Sequence, residues 1–264
     1  HYSPDLSRAL HADFGGDSVD PNDPPNTIYG MVYMTVPDNQ PLETLPFDYP
    51  SESDAGAPGQ PAGYPIPVEA KTLLKWIEGG HEGNSGIGGD RHILMVSPTK
   101  NFLYELWNTR CLPVGNPNCT WSAGSGAVFN ITNNSRRPEG WTSADAAGLA
   151  ILPGLVRYVE ANSGAPINHA FRFTLQNTNG HVYPASHTAG STAGALPMGA
   201  RMRLKASTNI SGFSPMVQRI FQAMKTYGLI LADNGSNMYI QGSYDVNWPS
   251  SVLSAFTSLK ISDF

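Results

Sequence analysis

The stretch from 199 to 242 carries the clearest pattern of apolar and polar positions in the chain. Residues 201–206 alternate charged and apolar side chains, which is typical of a half-buried strand. Ser214 and Pro215 suit the start of a helix, as an N-cap and a first-turn residue. One apolar stripe follows, formed by Met216, Val217, Ile220, Phe221 and Met224. The pattern therefore predicts a strand and then a helix over 215–227.

The same stretch continues with a glycine, an apolar run and a turn signal. Gly228 suits the left-handed residue that ends many helices, and the Leu-Ile-Leu run at 229–231 predicts a buried strand. The sequence Asp-Asn-Gly-Ser at 233–236 is a strong β-hairpin signal. It predicts that residues 237–241 return as a second strand beside the first.

Short apolar or alternating runs, separated by turn residues, recur along the rest of the chain. They predict strands at 28–36, 91–96, 102–107, 126–131, 155–160, 169–176 and 181–186, and short helices at 70–77, 143–149 and 250–259. The second and third of these strands should form a hairpin, as should the last two. Because strands and helices do not alternate, we expect a mostly β fold. It should be an antiparallel β-sandwich or jelly roll with one main helix and a short C-terminal helix.

Residues 37–67 interrupt this pattern with many prolines, glycines and serines. Such a composition predicts an irregular arm lying on the surface. Neither flank looks like a complete domain, so the arm is not interpreted as a linker. We therefore expect residues 1–264 to form a single domain.

Composition and charge exclude some partners. The net charge is -5 and no basic block is present, which disfavours nucleic-acid binding. No apolar run approaches membrane-spanning length. The chain begins at His1, as a mature secreted protein would after leader cleavage, although a trimmed chain would begin the same way.

Two further features bear on an extracellular location. Cys111 and Cys119 bracket a short loop with two prolines and a glycine, which favours a disulfide over a reduced cytosolic pair. A fifth N-glycosylation triplet, at Asn118, contains Cys119. The other four triplets begin at Asn130, Asn133, Asn209 and Asn234. Together these features predict a secreted glycoprotein.

Several runs of the sequence resemble a family of secreted bacterial and fungal proteins. They are LHADFG (10–15), GGDRHILMV (88–96), WSAGSGAVFN (121–130), GWTSADAAGLAILPGLVRY (140–158), INHAFRFT (167–174), YPASH (183–187), PMGARMRLKA (197–206) and YGLILADNGS (227–236). The resemblance covers most of the chain except the 37–87 segment and the loop between the cysteines. It implies an extracellular single domain and supports work on polysaccharides. It transfers no catalytic residue, because that family carries no established activity.

Imidazole and carboxylate groups stand near the ends of predicted strands. These groups are His11, Asp13, Asp90, His92, His169 and His187. If their loops meet, His11, His92 and His187 could bind a divalent metal ion such as zinc, copper or manganese. The alternative is separate histidines that form hydrogen bonds in turns. An N-terminal His1 that binds copper through its amine and ring is a further option.

Glycosidic bond cleavage needs two carboxyl groups placed across the scissile bond. The carboxylates available for this role are Asp13, Asp90, Glu105, Asp145, Glu160 and Asp233. We expect the catalytic set to come from Asp90, His92, Asp13, Glu105 and His187. Glu105 lies on a predicted strand, where it either lines a concave face or is solvated. Asp233 precedes Asn-Gly, where an aspartate usually serves the turn.

Substrate contacts are predicted from cations and aromatic rings. Arg172 and Arg201, on two predicted strands, could neutralise a uronate carboxylate in a lyase, or they could simply form a solvated sheet face. Trp121 and Trp141 lie in turn-rich segments and could stack on sugar rings, although aromatic residues often fill the cores of sandwiches.

The sequence thus predicts a secreted carbohydrate-active protein that cleaves glycosidic bonds as a hydrolase or a lyase. Its site would be a cleft lined by residues 10–15, by the strand start at Asp90 and His92, and by His187. One alternative is a non-catalytic extracellular protein that binds polysaccharide or assembles with copies of itself. A metal-dependent oxidase is the other alternative.

Overall fold

The computed structural model describes residues 30–71, 76–78, 90–113, 116–245 and 247–264. The strands are β1 (Tyr33–Thr35), β2 (Ile93–Ser97), β3 (Phe102–Trp107), β4 (Arg110–Leu112), β5 (Thr120–Ser122), β6 (Ser125–Asn130), β7 (Phe171–Leu175), β8 (Arg201–Met202) and β9 (Leu229–Asn234). The α-helices are α1 (Tyr158–Ala161), α2 (Pro215–Thr226) and α3 (Ser250–Phe256), and 3-10 turns form at Pro50–Glu52, Val68–Lys71, Leu152–Gly154 and Ile261–Asp263. The strands form three sheets, so the predicted mostly β fold with few helices is confirmed. The jelly-roll order is not confirmed.

The first sheet has the order β1-β2-β3-β6. β2 and β3 form the predicted hairpin, with Ile93 opposite Leu106 and Ser97 opposite Phe102. Asn101 takes a left-handed conformation (φ 59°) in the connecting turn. β6 adds to β3 in antiparallel register, whereas β1 lies parallel to β2. This sheet therefore mixes parallel and antiparallel pairs.

Both faces of the first sheet are buried. Ile93 and Met95 pack on one face with Tyr64 of the 37–67 arm. Leu94 and Leu103 pack on the other face. This two-sided burial explains the nearly continuous apolar sequence of β2. The arm is irregular, as predicted, but its Tyr64 is fully buried and contacts the Tyr104 ring at 5.8 Å.

The second sheet pairs β4 with β5 and carries the predicted disulfide. Cys111 lies opposite Trp121 in the antiparallel register. Cys111 and Cys119 are bonded, with their Cα atoms 5.2 Å apart. The disulfide prediction is confirmed.

The third sheet has the order β7-β9-β8, and it departs from the predicted local hairpins. β7 pairs in parallel with β9, and residues 181–186 form no strand beside it. The turn at 233–236 does not begin a hairpin ladder, because Ile240 instead forms a bridge to Phe173 on β7. All five side chains of β7 are buried, and its Phe171, Phe173 and Leu175 need apolar neighbours. The distant Leu-Ile-Leu run supplies them, and long-range burial overrides the local turn signals.

The predicted helix at 215–227 is confirmed as α2. The Ser214 hydroxyl caps the helix by accepting a hydrogen bond from the Val217 N–H. Ile220, Phe221 and Met224 are buried against the third sheet's core. Gly228 ends the helix in the left-handed region (φ 81°), as predicted. The predicted C-terminal helix is also present, as α3.

Two shorter predictions are wrong. Residues 143–149 form turns and not a helix, because their backbone groups bond to distant segments, as when the Ala147 N–H donates to the Ala232 carbonyl. Residues 155–160 give a bridge at Val156 followed by α1, not a strand. The predicted helix at 70–77 lies partly outside the described residues. No helix in the described part of the chain is both long and apolar enough to cross a bilayer.

Candidate active site

A cavity of about 330 Å³ opens where the first sheet meets the C-terminal end of β9. Parts of the chain that are far apart in sequence supply its walls. The carboxyl and imidazole side chains among its described lining residues are Glu52, Asp90, Asp145, His187 and Asp233. We treat this cavity as the candidate active site and call it the acidic cavity.

One arginine holds two aspartates at the inner wall of the acidic cavity. The Arg172 Nη2 atom lies 2.9 Å from an Asp145 oxygen and 3.6 Å from an Asp233 oxygen. Arg172 and Asp145 are buried, with side-chain exposures of 3% and 0%. Asp233 retains 18% exposure, so it is the member of the cluster that a substrate can reach. The three elements that meet here are β7, the 143–149 turns and β9.

The carboxyl groups of this cluster have raised pKa values. Burial and the neighbouring Asp145 charge raise the pKa of Asp233 to about 7, against the opposing charge of Arg172. Burial likewise raises the pKa of Asp145 to about 6, and Arg172 again opposes it. Asp233 therefore holds a proton for part of the time near neutral pH, which suits a general acid.

Glu52 and His187 form a second group on the cavity wall. Glu52 ends the 3-10 turn at Pro50–Glu52, and its Oε2 accepts a hydrogen bond from the Thr142 N–H at 3.1 Å. The His187 Nε2 atom lies 3.8 Å from the same oxygen. Its Nδ1 donates to the Ala146 carbonyl at 2.8 Å, which turns Nε2 toward Glu52. The acidic cavity thus contains a carboxylate with a neighbouring imidazole and, separately, a carboxyl group with a raised pKa.

Two aromatic rings stand beside these groups. The Tyr49 and Trp107 rings lie 6.2 Å apart at an angle of 35°, and both line the acidic cavity. Tyr49 is 50% exposed. Gly124 makes room for the indole, since a Cβ there would lie 2.3 Å from a Trp107 ring carbon. Exposed aromatic faces of this kind stack on the apolar faces of sugar rings.

The structure places the predicted catalytic residues in different surroundings. Asp90 and His187 line the acidic cavity together, as expected. His11 and Asp13, like His1, lie outside the described residues. His92 is fully buried, with Nδ1 2.5 Å from a Glu78 oxygen and Nε2 2.9 Å from the Ala144 carbonyl oxygen. Both of its nitrogens are engaged, so His92 has none left for a metal ion or a substrate.

Glu105 has a structural role, because it binds backbone N–H groups. Its buried carboxylate accepts hydrogen bonds from the Ile151 and Leu152 N–H groups at 2.8 to 3.0 Å. These groups open the 3-10 turn at Leu152–Gly154, and the first N–H groups of a helical turn have no partner within it. Burial raises the pKa of Glu105 to about 7, although these bonds oppose the shift. Glu105 therefore neither lines an open face nor is solvated.

The residues predicted to contact the substrate also lie in different surroundings. Trp121 is only 2% exposed and packs in the core beside the disulfide, so it offers no face to a sugar. Trp141 is partly buried, with the Arg137 guanidinium 5.2 Å from its ring centre. Arg172 belongs to the buried cluster, and Arg201 is exposed on β8. The His169 Nε2 atom lies 3.1 Å from a Glu160 oxygen, outside the acidic cavity. The asparagines of the glycosylation triplets are exposed at positions 130, 133, 209 and 234.

Sequence reasoning missed Glu52 and Tyr49, which lie in the proline-rich arm. No local pattern singles them out, because their role depends on the arm packing against the Thr142 segment. Asp145 and Asp233 were among the candidate carboxylates but were not chosen. The signal that could have favoured Asp233 is its position at the end of a buried strand.

The described residues include no group of three or more His, Cys, Asp or Glu side chains that could hold a metal ion. A comparison of the chain with protein-family models, curated proteins and solved structures finds no match. A function must therefore be argued from the site itself.

Proposed function

We propose that this protein is an extracellular enzyme that cleaves glycosidic bonds in a polysaccharide by acid–base catalysis in the acidic cavity. Asp233 acts as the general acid and Glu52 as the carboxylate on the other side of the bond. The observation that carries the proposal is the presence, in one cavity, of a reachable carboxyl group with a pKa of about 7 and a second carboxylate in a different environment.

Each residue has a defined task in this scheme. Protonated Asp233 donates its proton to the glycosidic oxygen as the bond to the leaving sugar breaks. Glu52 either takes a proton from the attacking water or attacks the sugar carbon itself. The Thr142 N–H orients Glu52 by donating a hydrogen bond to its Oε2 at 3.1 Å. Arg172 and Asp145 are positioning residues, because they fix Asp233 and set its charge from inside the wall.

Two other features support a sugar substrate outside the cell. The Tyr49 and Trp107 rings offer an aromatic platform beside the acid. The Cys111–Cys119 disulfide fits an oxidising compartment. The same platform favours a second candidate, a non-catalytic protein that binds polysaccharide in this cavity.

The decisive experiment measures the release of reducing ends from a panel of neutral and acidic polysaccharides. We expect Asp233→Asn and Glu52→Gln each to lower kcat by about 100-fold or more, because each removes a proton-transfer group. The matched control is Asp48→Asn, an exposed aspartate that does not line the cavity. It should retain wild-type activity. Circular dichroism spectra and unfolding curves should show that all three variants are folded.

The pH profile tests the role of Asp233 separately. Because the acid must be protonated, kcat/KM should fall as the pH rises through about 7. A large loss in Asp90→Asn with none in Glu52→Gln would move the base to Asp90 and contradict our assignment. Binding of a polysaccharide without any cleavage would favour the non-catalytic candidate.

A further inference from the structure

A second cavity, of about 630 Å³, shares Asp145 with the acidic cavity and opens over one face of the third sheet. We call it the basic cavity. Arg136, Arg172, Arg201 and His169 line it, and Asp145 is the single acidic side chain among the lining residues that the structure describes. Arg136 pairs with Glu139, His169 with Glu160, and Arg172 with Asp145 and Asp233. Among the described residues, Arg201 is therefore the lining cation without a carboxylate partner.

The sheet register explains how two of these arginines come together. Arg172 on β7 and Arg201 on β8 both lie opposite Ile230 on the central strand β9. Residues directly opposite one another across a sheet project from the same face. All three line the basic cavity. The sheet thus presents a row of two arginines separated by an apolar side chain.

These arginines have hydrogen-bonding capacity to spare. Arg172 is buried, and within the described part of the chain its Nε and Nη1 atoms have no hydrogen-bond partner. Buried polar groups are seldom left unpaired in folded proteins. Arg201 is exposed, and among the described residues its side chain forms neither a hydrogen bond nor an ion pair. Both features indicate a place for an acceptor that belongs to a ligand.

Aromatic rings line the same cavity. Tyr183 is 77% exposed, which is unusual for so large an apolar surface, and Tyr227 is 39% exposed. Ile230 and Phe129 contribute apolar surface to the lining. Arginine forks suit planar carboxylates, and tyrosine rings suit the apolar faces of sugars. A sugar that bears a carboxylate satisfies both kinds of group.

We propose that the basic cavity binds a uronic acid unit, so that the substrate of the neighbouring acidic cavity is an acidic polysaccharide. Arg201 binds the carboxylate, Tyr183 stacks on the sugar ring, and Arg172 supplies charge from the wall between the cavities. The role of this cavity as a substrate site rests on the proposed function. Binding of a uronic acid unit can be measured without turnover.

The test measures the affinity of a Glu52→Gln background, in which cleavage is suppressed, for polygalacturonate and for a neutral glucan. Arg201→Gln should weaken polygalacturonate binding by about 10-fold or more, as expected for a lost charged hydrogen bond. Tyr183→Ala should also weaken it. The matched control is Arg203→Gln, because Arg203 is an exposed arginine two residues away that donates to the Lys225 carbonyl and does not line the cavity. It should bind like the background.

Equal effects of Arg201→Gln and Arg203→Gln would overturn the proposal, since any loss would then reflect net charge alone. Dextran sulfate binding as tightly as polygalacturonate would likewise overturn the assignment of a uronate. The two proposals fail in different ways. Cleavage of neutral glucans that depends on Asp233, without polyuronate binding, would refute the basic cavity as a uronate site. Polyuronate binding through Arg201, with no cleavage by the wild type, would uphold this site and refute the proposed reaction.

Discussion

His92 shows how a residue's role follows from its hydrogen-bond partners. Its two ring nitrogens face a carboxylate and a carbonyl, which both accept hydrogen bonds and cannot donate them. Both nitrogens must therefore carry protons, and the buried ring is an imidazolium. Burial opposes this charge, but Glu78 and Asp90 outweigh that effect and raise the pKa of His92 to about 9. Its bond to Ala144 holds the backbone directly before Asp145.

This pairing makes stability depend on pH in a defined direction. The pKa of His92 is higher in the folded state than its ordinary value of 6.5, so its contribution is complete below about 6.5 and is lost as the pH rises through about 9. Arg172 lies among the charges that oppose it, whereas Glu78 and Asp90 support it. We expect urea unfolding to show wild type losing stability over this interval.

The variant His92→Gln should be less stable than wild type at pH 6.5, and the difference should shrink as the pH approaches 9. The control is His181→Gln, which changes a partly exposed histidine that bonds Glu139. Its difference from wild type should stay small across the range. An unchanged difference between His92→Gln and wild type from pH 6.5 to 9.5 would contradict the imidazolium assignment.

At the scale of elements, local signals predicted α2 well and strand pairing poorly. The cap at Ser214, the apolar stripe and Gly228 lie within one short segment, so the sequence shows them directly. The pairing of β7 with β9 is different, because α2 and β8 lie between these strands in the chain. A local hairpin at either strand was the better prediction from turn residues alone. The pairing is decided by which apolar run can bury β7, and that depends on the whole core.

Gly228 is the joint between α2 and β9, and it permits a close approach there. It has φ 81°, and a Cβ would lie 2.3 Å from the Met202 carbonyl oxygen on β8. We expect Gly228→Ala to lower the free energy of unfolding by at least about 1 kcal/mol, through backbone strain and this clash. The matched control is Gly212→Ala, where a Cβ meets no atom within 4 Å. Equal stability of the two variants in urea unfolding would contradict this account.

At the scale of the molecule, the candidate site depends on segments that no local pattern connects. Glu52 comes from the arm, Asp145 from the 143–149 turns and Asp233 from the end of β9. The sequence could name Asp145 and Asp233 as candidate carboxylates, and it could predict that Asp90 and His187 share a cleft. It could not distinguish them from Glu105, because only the fold shows which carboxylate is buried against backbone N–H groups. Tertiary packing therefore decides function among residues of the same type.

The Arg172 cluster joins these segments, so removing Arg172 should lower the free energy of unfolding of the whole molecule. Arg172→Leu leaves Asp145 buried with no cation beside it, and we expect a loss of about 3–5 kcal/mol in the free energy of unfolding at pH 7. The double variant Arg172→Leu/Asp145→Leu replaces the pair with apolar side chains and should recover most of that loss.

The pH dependence of stability tests the same cluster independently. Without the Arg172 charge, the buried carboxyl groups of Asp145 and Asp233 should take up protons more readily, since burial already raises the pKa of each. The stability deficit of Arg172→Leu should therefore shrink as the pH falls from 7 to 5. Urea unfolding of wild type, Arg172→Leu, Asp145→Leu and the double variant at both pH values completes a double-mutant cycle. A double variant no more stable than Arg172→Leu would mean that shape, not charge, explains the loss, and it would contradict the electrostatic pairing of Arg172 with Asp145.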